Sequence, residues 1–267
     1  MSEARYALVT GASSGIGEAF ARALCLRGQN VILLARSHDK LQNLAAELSS
    51  SHDVRALAYT CDLSRPQATG EVVRFLKSEL LEVNLLINNA AFGGRGEFWR
   101  LPLDQQTKML RLNVQAVSDL THALLPAMVA RRTGGVINVS SITGFQPIPY
   151  AALYAASKAF VTSFSMALAE ELRPHGIAVV TLCPGGTRTN FQEIGERGRR
   201  RFPGKRQEPE EVVQIALKRL AKGGGLVVPR LSNQLTVGIQ RAIPRSVLPR
   251  VLARFSRPQG QKKPNGK

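Results

Sequence analysis

Acidic residues are scarce and stop early. Glu211 is the last of 19, against 36 lysines and arginines, and every charge from Val212 to Lys267 is positive. The resulting net charge of +17 allows attraction to anionic lipid, phosphorylated ligands or nucleic acid, without bearing on the fold. Aromatic residues are also few, 6 % of the chain, and the arginines are not interleaved with rings that could stack on bases. That shortage, and the lack of any nucleic-acid motif, argues against nucleic acid as a partner. Only three cysteines occur, Cys25, Cys61 and Cys183, with no C-x-x-C pair. An odd number in separate elements reads as buried free thiols of a reducing compartment, not a disulfide framework. The four histidines lack metal-ligand spacing, so no metal is expected. No apolar run of membrane-spanning length and no secretory leader is recognised. The first strand-like run, "RYALVT", begins close to Met1 and leaves no room for a targeting segment. A cytoplasmic location is therefore expected.

The chain does contain a regular alternation. "YALVT", "NVILLA", "VRALAY", "NLLIN", "GVINVS", "IAVVTL" and "GLVVP" are short, rich in Val, Ile and Leu, and apolar at successive positions. Strands buried on both faces of a parallel sheet read this way. Between them lie helical stretches such as "GIGEAFARALCLRG". Another, from Tyr154 to Gly176, spaces Phe160, Phe164, Leu168 and Leu172 by four and ends at Pro174 and Gly176. The expected fold is α/β: a single-domain, Rossmann-like, doubly wound parallel sheet of about seven strands with helices on both faces. Residues 1–230 form this domain. Within it, 186–208 lack periodicity and read as a substrate lid. Residues 231–257 form a basic amphipathic extension, and 258–267 a disordered tail.

"TGASSGIG", Thr10 to Gly17, follows the first strand and opens the first helix. Gly11 allows the tight turn, Gly15 lets backbone approach a pyrophosphate, and Gly17 permits close helix–sheet packing, with the helix N-terminus supplying N–H donors. Ser13, Ser14 and Ile16 share the turn as cofactor contacts. At the end of the second run, "VILLARS" carries Ala35 and Arg36 where NAD-preferring folds usually hold an acid. Arg36 can pair with a 2′-phosphate, so NADP(H) is expected over NAD(H).

With these features, "CDL" at Cys61 to Leu63, "NNAA" at Asn88 to Ala91, Asn113, Ser141, Tyr154, Lys158 and "CPGGTRT" at Cys183 to Thr189, the chain resembles the short-chain dehydrogenases/reductases over about residues 5 to 230. The resemblance implies that Asp62 contacts the adenine, with Leu63 beside it, and that Asn89 and Ala90 carry cofactor-side contacts. Ala91 replaces the usual final glycine. Pro184, Gly185 and Thr189 are implied on the nicotinamide side, with Thr187 among the cofactor contacts.

Tyr154 and Lys158 are four residues apart on one helical face. A phenol titrates near ~10, and a fixed ammonium beside it favours phenolate and lowers that value. Ser140 and Ser141 adjoin at a strand end, where neighbouring side chains point oppositely, so only one can face the cleft. The family's spacing selects Ser141 to hydrogen-bond a substrate carbonyl oxygen, leaving Ser140 structural. Asn113 lies on the apolar face defined by Met109, Ala116, Leu120 and Leu124 and must be bonded. Its partner could be neighbouring backbone, or, as the resemblance implies, a water linking Lys158 to solvent.

The expected activity is an NADP(H)-dependent interconversion of a carbonyl and a secondary alcohol, reducing a lipophilic ketone or a 3-oxoacyl thioester. The alternative is a non-catalytic NADP(H)-binding regulator or scaffold. In the lid, Phe191, Ile194 and Phe202 accompany Arg197, Arg199, Arg200, Arg201, Lys205 and Arg206. This basic cluster could meet coenzyme A phosphates or an acidic carrier, or simply be a solvated edge. In the extension, Leu231, Leu235, Ile239, Ile243, Val247, Val251 and Phe255 recur every four residues among arginines, with Pro244 and Pro249 dividing it into short helices. That segment could cap the pocket, pack on the domain, or touch an anionic membrane peripherally. The helices carrying Asn113 and Tyr154 resemble the family's dimer-forming pair, so a homodimer or homotetramer is expected.

Overall fold

The computed structural model describes residues 5–189, 206–244 and 246–256. Each apolar run is a strand: β1 (Arg5–Thr10), β2 (Asn30–Ala35), β3 (Ala56–Thr60), β4 (Glu82–Asn88), β5 (Gly134–Val139), β6 (Ile177–Leu182) and β7 (Gly224–Val227). All pair in parallel, in the order β3-β2-β1-β4-β5-β6-β7. The order reverses between β1 and β4, which opens a crevice at their carboxyl ends.

Helices α1 (Gly15–Cys25), α2 (His38–Ser51) and α7 (Pro209–Ala221) cover one face of the sheet. There Phe20, Leu41 and Val213 pack on Val9, Val31 and Leu33. Helices α3 (Ala68–Ser78), α5 (Ala116–Arg131) and α6 (Ala152–Leu172) cover the other, where Val72, Leu120 and Leu168 pack on Leu8, Ile32 and Leu86. Consecutive residues such as Ile32 and Leu33 thus enter opposite cores, each fully buried. This is why the strands lack polar alternation, and each such side chain contributes about 1.5–3 kcal/mol by leaving water. β3 departs from the pattern: it begins at Ala56 and its residues are only half-buried or exposed, because it is the sheet's edge. The remaining helices are α4 (Leu103–Leu110), α8 (Leu231–Ala242) and α9 (Leu248–Ser256).

Three expectations need correction. The stretch Ala152–His175 is, by length and composition, apolar enough to cross a membrane, with a mean hydropathy of 1.2. Here it is a helix of the α/β layer, packed along β6 with Val161, Leu168 and Leu172 buried. Its four-residue stripe is not all core, since Phe160 is exposed and stacks on Phe164. In the extension, Leu231, Leu235 and Ile239 face solvent, while Val237 and Leu248 are buried in their place. Pro249 does not break a helix; it is the second residue of α9, where its missing N–H would be unpaired anyway.

Candidate active site

The crevice is built first from backbone. Thr10 ends β1, and its hydroxyl donates to the Ile87 carbonyl (3.1 Å) and accepts from the N–H groups of Asn89 (2.9 Å) and Ala90 (3.0 Å). It thereby locks the ends of β1 and β4 together where the sheet order reverses. The Asn89 amide donates to the Thr10 carbonyl at 2.9 Å, so this asparagine holds the glycine turn. A Cβ on Gly17 would lie 2.2 Å from the Gly11 carbonyl oxygen, which explains the close packing of α1 on the turn. Ser14 precedes α1 without capping it through its side chain. Ser13 is half-buried, and Ile16 packs on the core.

The structure sets Thr189 against Gly15, so this residue borders the glycine turn. Arg36 is exposed just beyond β2. Asp62 accepts from the Ser64 N–H (2.9 Å) and hydroxyl (2.7 Å). Burial alone would raise its pKa; those two bonds, with Arg36 and Arg65 nearby, outweigh it and hold the carboxyl below its usual value. Leu63 is a core side chain, so only its backbone can face a ligand.

The opening of β5 into a 3-10 turn, Ile142–Phe145, carries the two serines. Ser140 is buried against α6, donating to the Lys158 carbonyl at 2.8 Å and sharing a 2.7 Å bond with Thr162. Ser141 faces the other way, caps the turn by accepting from the Thr143 N–H at 3.1 Å, and meets the Tyr154 hydroxyl. The turn can lie this close to α6 because residue 144 is glycine; a Cβ there would sit 2.7 Å from the Lys158 carbonyl oxygen.

Burial pushes the Tyr154 phenol up to about 12, against the lowering effect of the Ser141 and Thr143 hydroxyls. The expected lowering by Lys158 is not what sets this value. Lys158 turns its ammonium to the Val139 carbonyl at 2.9 Å. Burial brings the lysine down to about 8. The buried Cys183 thiol beneath it is pushed up to about 11 and stays neutral at pH 7.

Asn113 is buried in a π-helical turn, Arg111–Gln115, between α4 and α5. Its amide donates to the Phe92 carbonyl (3.0 Å) and to Ser157 (3.1 Å), and its oxygen accepts from the Phe92 N–H (3.2 Å). Both amide hydrogens are thus committed to protein. Through the Phe92 backbone and the Ser157 hydroxyl, the residue ties the loop after β4 to α6.

Residues not singled out from sequence complete the cleft. Gly93 approaches the Tyr154 ring so closely that a Cβ would lie 3.3 Å from it. Tyr150, at φ 66°, accepts from the Gly96 N–H at 2.7 Å. Asn233 of α8 packs on Gly185. Only the left-handed backbone of Tyr150 had a legible cue, the surrounding Pro-rich stretch; the other contacts are long-range. Pro184 is buried and its carbonyl accepts from the Ile142 N–H at 3.1 Å. Thr187 donates to the Gly185 carbonyl (3.3 Å) and forms an isolated parallel bridge with Gln207. Phe191, Ile194, Arg197, Arg199, Arg200, Arg201, Phe202 and Lys205 lie outside the described residues. Among the described residues no group of His, Cys, Asp or Glu could hold a metal ion.

Residues 5–198 match the sequence family of the short chain dehydrogenases. The chain belongs to that family. Similar short-chain dehydrogenases include the very-long-chain 3-oxoacyl-CoA reductase of Phaeosphaeria nodorum, 34 % identical over 224 residues, which cover 82 % of this chain and 64 % of that protein. The Homo sapiens protein of the same name is 31 % identical over 219 residues, covering 80 % of this chain and 67 % of its own. The chain therefore spans about two thirds of these relatives' length. Among solved structures, a short-chain dehydrogenase from Sphingobium yanoikuyae in complex with NADPH superposes with a TM-score of 0.80 at 30 % identity, covering 98 % of this chain and all of that one (100 %). A 7beta-hydroxysteroid dehydrogenase superposes with a TM-score of 0.83 at 27 % identity, covering 93 % and 96 % of the two chains.

Proposed function

We propose that this short-chain dehydrogenase is an NADP(H)-dependent oxidoreductase that reduces the carbonyl of 3-oxoacyl thioesters to a secondary alcohol. One observation carries the reading: the hydroxyls of Ser141 and Tyr154 meet at the carboxyl end of the sheet, beside a glycine turn shaped for a dinucleotide, with Lys158 one helical turn along. The residues present fit NADP(H). Gly11, Gly15 and Gly17 pack so closely on Asn89, Thr189 and the turn itself that only glycine fits, which draws the turn in tightly at the start of α1, and Arg36 stands where a 2′-phosphate needs a cation. Ser13, Ser14, Ile16, Asp62, Leu63, Asn89, Ala90, Pro184, Gly185, Thr187 and Thr189 complete the proposed cofactor contacts. NADPH, when bound, supplies the hydride.

This chain's own residues handle the oxygen. Ser141 donates a hydrogen bond to it, and Tyr154, a neutral phenol at physiological pH, donates the proton. Lys158 then restores charge balance beside the phenolate. Asn113 keeps the loop and helix in register around them. The substrate class is supported by the similarity to very-long-chain 3-oxoacyl-CoA reductases and by the apolar and basic lid composition. Residues 1–230 are read as the catalytic domain, with 186–208 as its lid, 231–257 as an extension and 258–267 as a tail. A homodimer or homotetramer, a cytoplasmic location and a peripheral contact with anionic membrane complete the proposal.

The test is NADPH oxidation across a panel of 3-oxoacyl-CoA thioesters, lipophilic ketones and steroids. Thioester-dependent turnover is expected, and Tyr154→Phe should lower kcat by about 10²–10⁴-fold with NADPH affinity nearly intact. No turnover on any carbonyl would favour a non-catalytic NADP(H)-binding role.

A further inference from the structure

Large apolar side chains are exposed at thirteen described positions, and eight of these fall in two stretches, Phe98–Leu103 and Leu231–Val251. The concentration is not a scatter of ordinary surface leucines. On α8, Leu231, Leu235 and Ile239 are 75 %, 67 % and 64 % exposed and recur every four residues, so they form one outward stripe. The inward side of the same helix is satisfied: Val237 is buried, Asn233 packs on Gly185, and the helix rests on the turn after Ser141. The other stretch contributes Phe98, Trp99 and Leu103, with the Arg100 guanidinium 4.4 Å from the Trp99 ring centre. Arg95, in the loop before it, donates to the Ser256 carbonyl at the end of α9 at 3.4 Å, joining the two stretches. Both leave the carboxyl edge of the sheet, the edge that carries Ser141 and Tyr154.

Charge decides what such a face can meet. The segment from Val212 to Lys267 holds twelve lysines and arginines and no acid. Arg250 and Arg254 are exposed on α9 beside Val251. In the other stretch the acids are neutralised, Glu97 by Arg100 at 2.9 Å and Asp104 by Lys108 at 3.6 Å. A second copy of the chain docking by a two-fold axis would bring this positive surface against itself. An anionic bilayer supplies both an apolar layer for the stripe and phosphates for the arginines, and Trp99 with its arginine suits the headgroup level.

We infer that α8, α9 and the Phe98–Leu103 stretch form a docking surface for an anionic lipid bilayer. The protein then lies peripherally on the membrane, with the carboxyl edge of its sheet towards it. Building on the acyl-thioester reading above, the surface also turns the substrate entrance towards the phase in which a long acyl chain is concentrated.

The experiment uses the full chain, sedimented with phosphatidylcholine vesicles or with vesicles in which about one third of the lipid is phosphatidylglycerol. Binding is expected to the anionic vesicles and to be at least ~10-fold weaker to the neutral ones and in high salt. The variant Leu231→Gln/Leu235→Gln/Ile239→Gln should lose anionic-vesicle binding by ~10-fold or more, as should Arg250→Glu/Arg254→Glu, with circular dichroism and turnover of a short, soluble 3-oxoacyl thioester unchanged. Equal binding to both vesicle types would overturn the inference, as would unaltered binding by the stripe variant. So would a dimer, without vesicle binding, that the stripe variant dissociates. Because sedimentation needs no catalysis, failure of the proposed activity and failure of the docking surface are read separately.

Discussion

Tyr154 and Lys158 show how one buried pocket moves two groups in opposite senses, each towards its neutral form. The phenol, up at about 12, keeps its proton through the physiological range, which suits an acid that serves a reduction. The lysine, down at about 8, loses its charge as pH rises past that value. The rate of carbonyl reduction is therefore expected to hold steady below about pH 8 and fall above it. Stability runs the other way. Lys158 binds its proton less readily in the fold than in the unfolded chain, so its charge destabilises the fold below about pH 8, and the effect is relieved as pH climbs towards 10.5. Replacing Lys158→Met should abolish turnover yet raise Tm by ~2–4 °C at pH 7, a gain that shrinks towards pH 10. Calorimetry at the two pH values checks it. Arg36 acts on a different quantity. Arg36→Ala should lower kcat/KM for NADPH by ~10-fold or more and leave that for NADH nearly unchanged, read by steady-state kinetics with both cofactors.

The 3-10 turn after β5 is the element on which the site depends. It caps itself through Ser141, and at Gly144 it touches the backbone of α6 with no room for a methyl group. Gly144→Ala must push the turn away from Lys158, since the Lys158 carbonyl it would strike is backbone and cannot rotate aside. A destabilisation of ~1–3 kcal/mol is expected in urea titrations, with kcat reduced because Ser141 moves with the turn. The glycine and the helix were each visible in the sequence, but their contact was not. The segment around Asn113 shows the reverse relation. Its apolar spacing marks one helix, and Met109, Asn113, Ala116 and Leu120 are indeed all buried. The π turn that separates α4 from α5 follows from the pairing of Asn113 with Phe92 and Ser157, partners 21 and 44 residues away. No local pattern encodes them.

The molecule as a whole presents two surfaces of different character. On the outward side of α6, the large apolar side chains of Phe160 and Met166 are exposed. With α5 beside it, this is the surface through which the proposed homodimer or homotetramer would form. Light scattering should report a dimer or tetramer, and Phe160→Glu should shift it towards monomer without unfolding it, because the exposed side chain gives up its stack on Phe164 rather than a place in the core. The basic, apolar face of α8 and α9 lies elsewhere and is assigned to a membrane.

The strands, their parallel pairing and the glycine turn were legible because their causes are local. A run buried on both faces must be apolar at every position, and a turn at φ above zero calls for glycine. The Ser/Tyr/Lys set was legible as a family pattern, and its chemistry followed from residue type and helical spacing. The roles that the fold alone assigned depend on neighbours distant in the chain. Lys158 bonds the Val139 carbonyl and leaves the phenol's pKa to burial. The four-residue stripe of α8 faces outward although its periodicity fits an inward face equally well. Periodicity states that a helix has an apolar side. Which side meets protein depends on the total contact energy of the assembled fold, and here Val237 and Asn233 win that contact while Leu231, Leu235 and Ile239 remain for another partner.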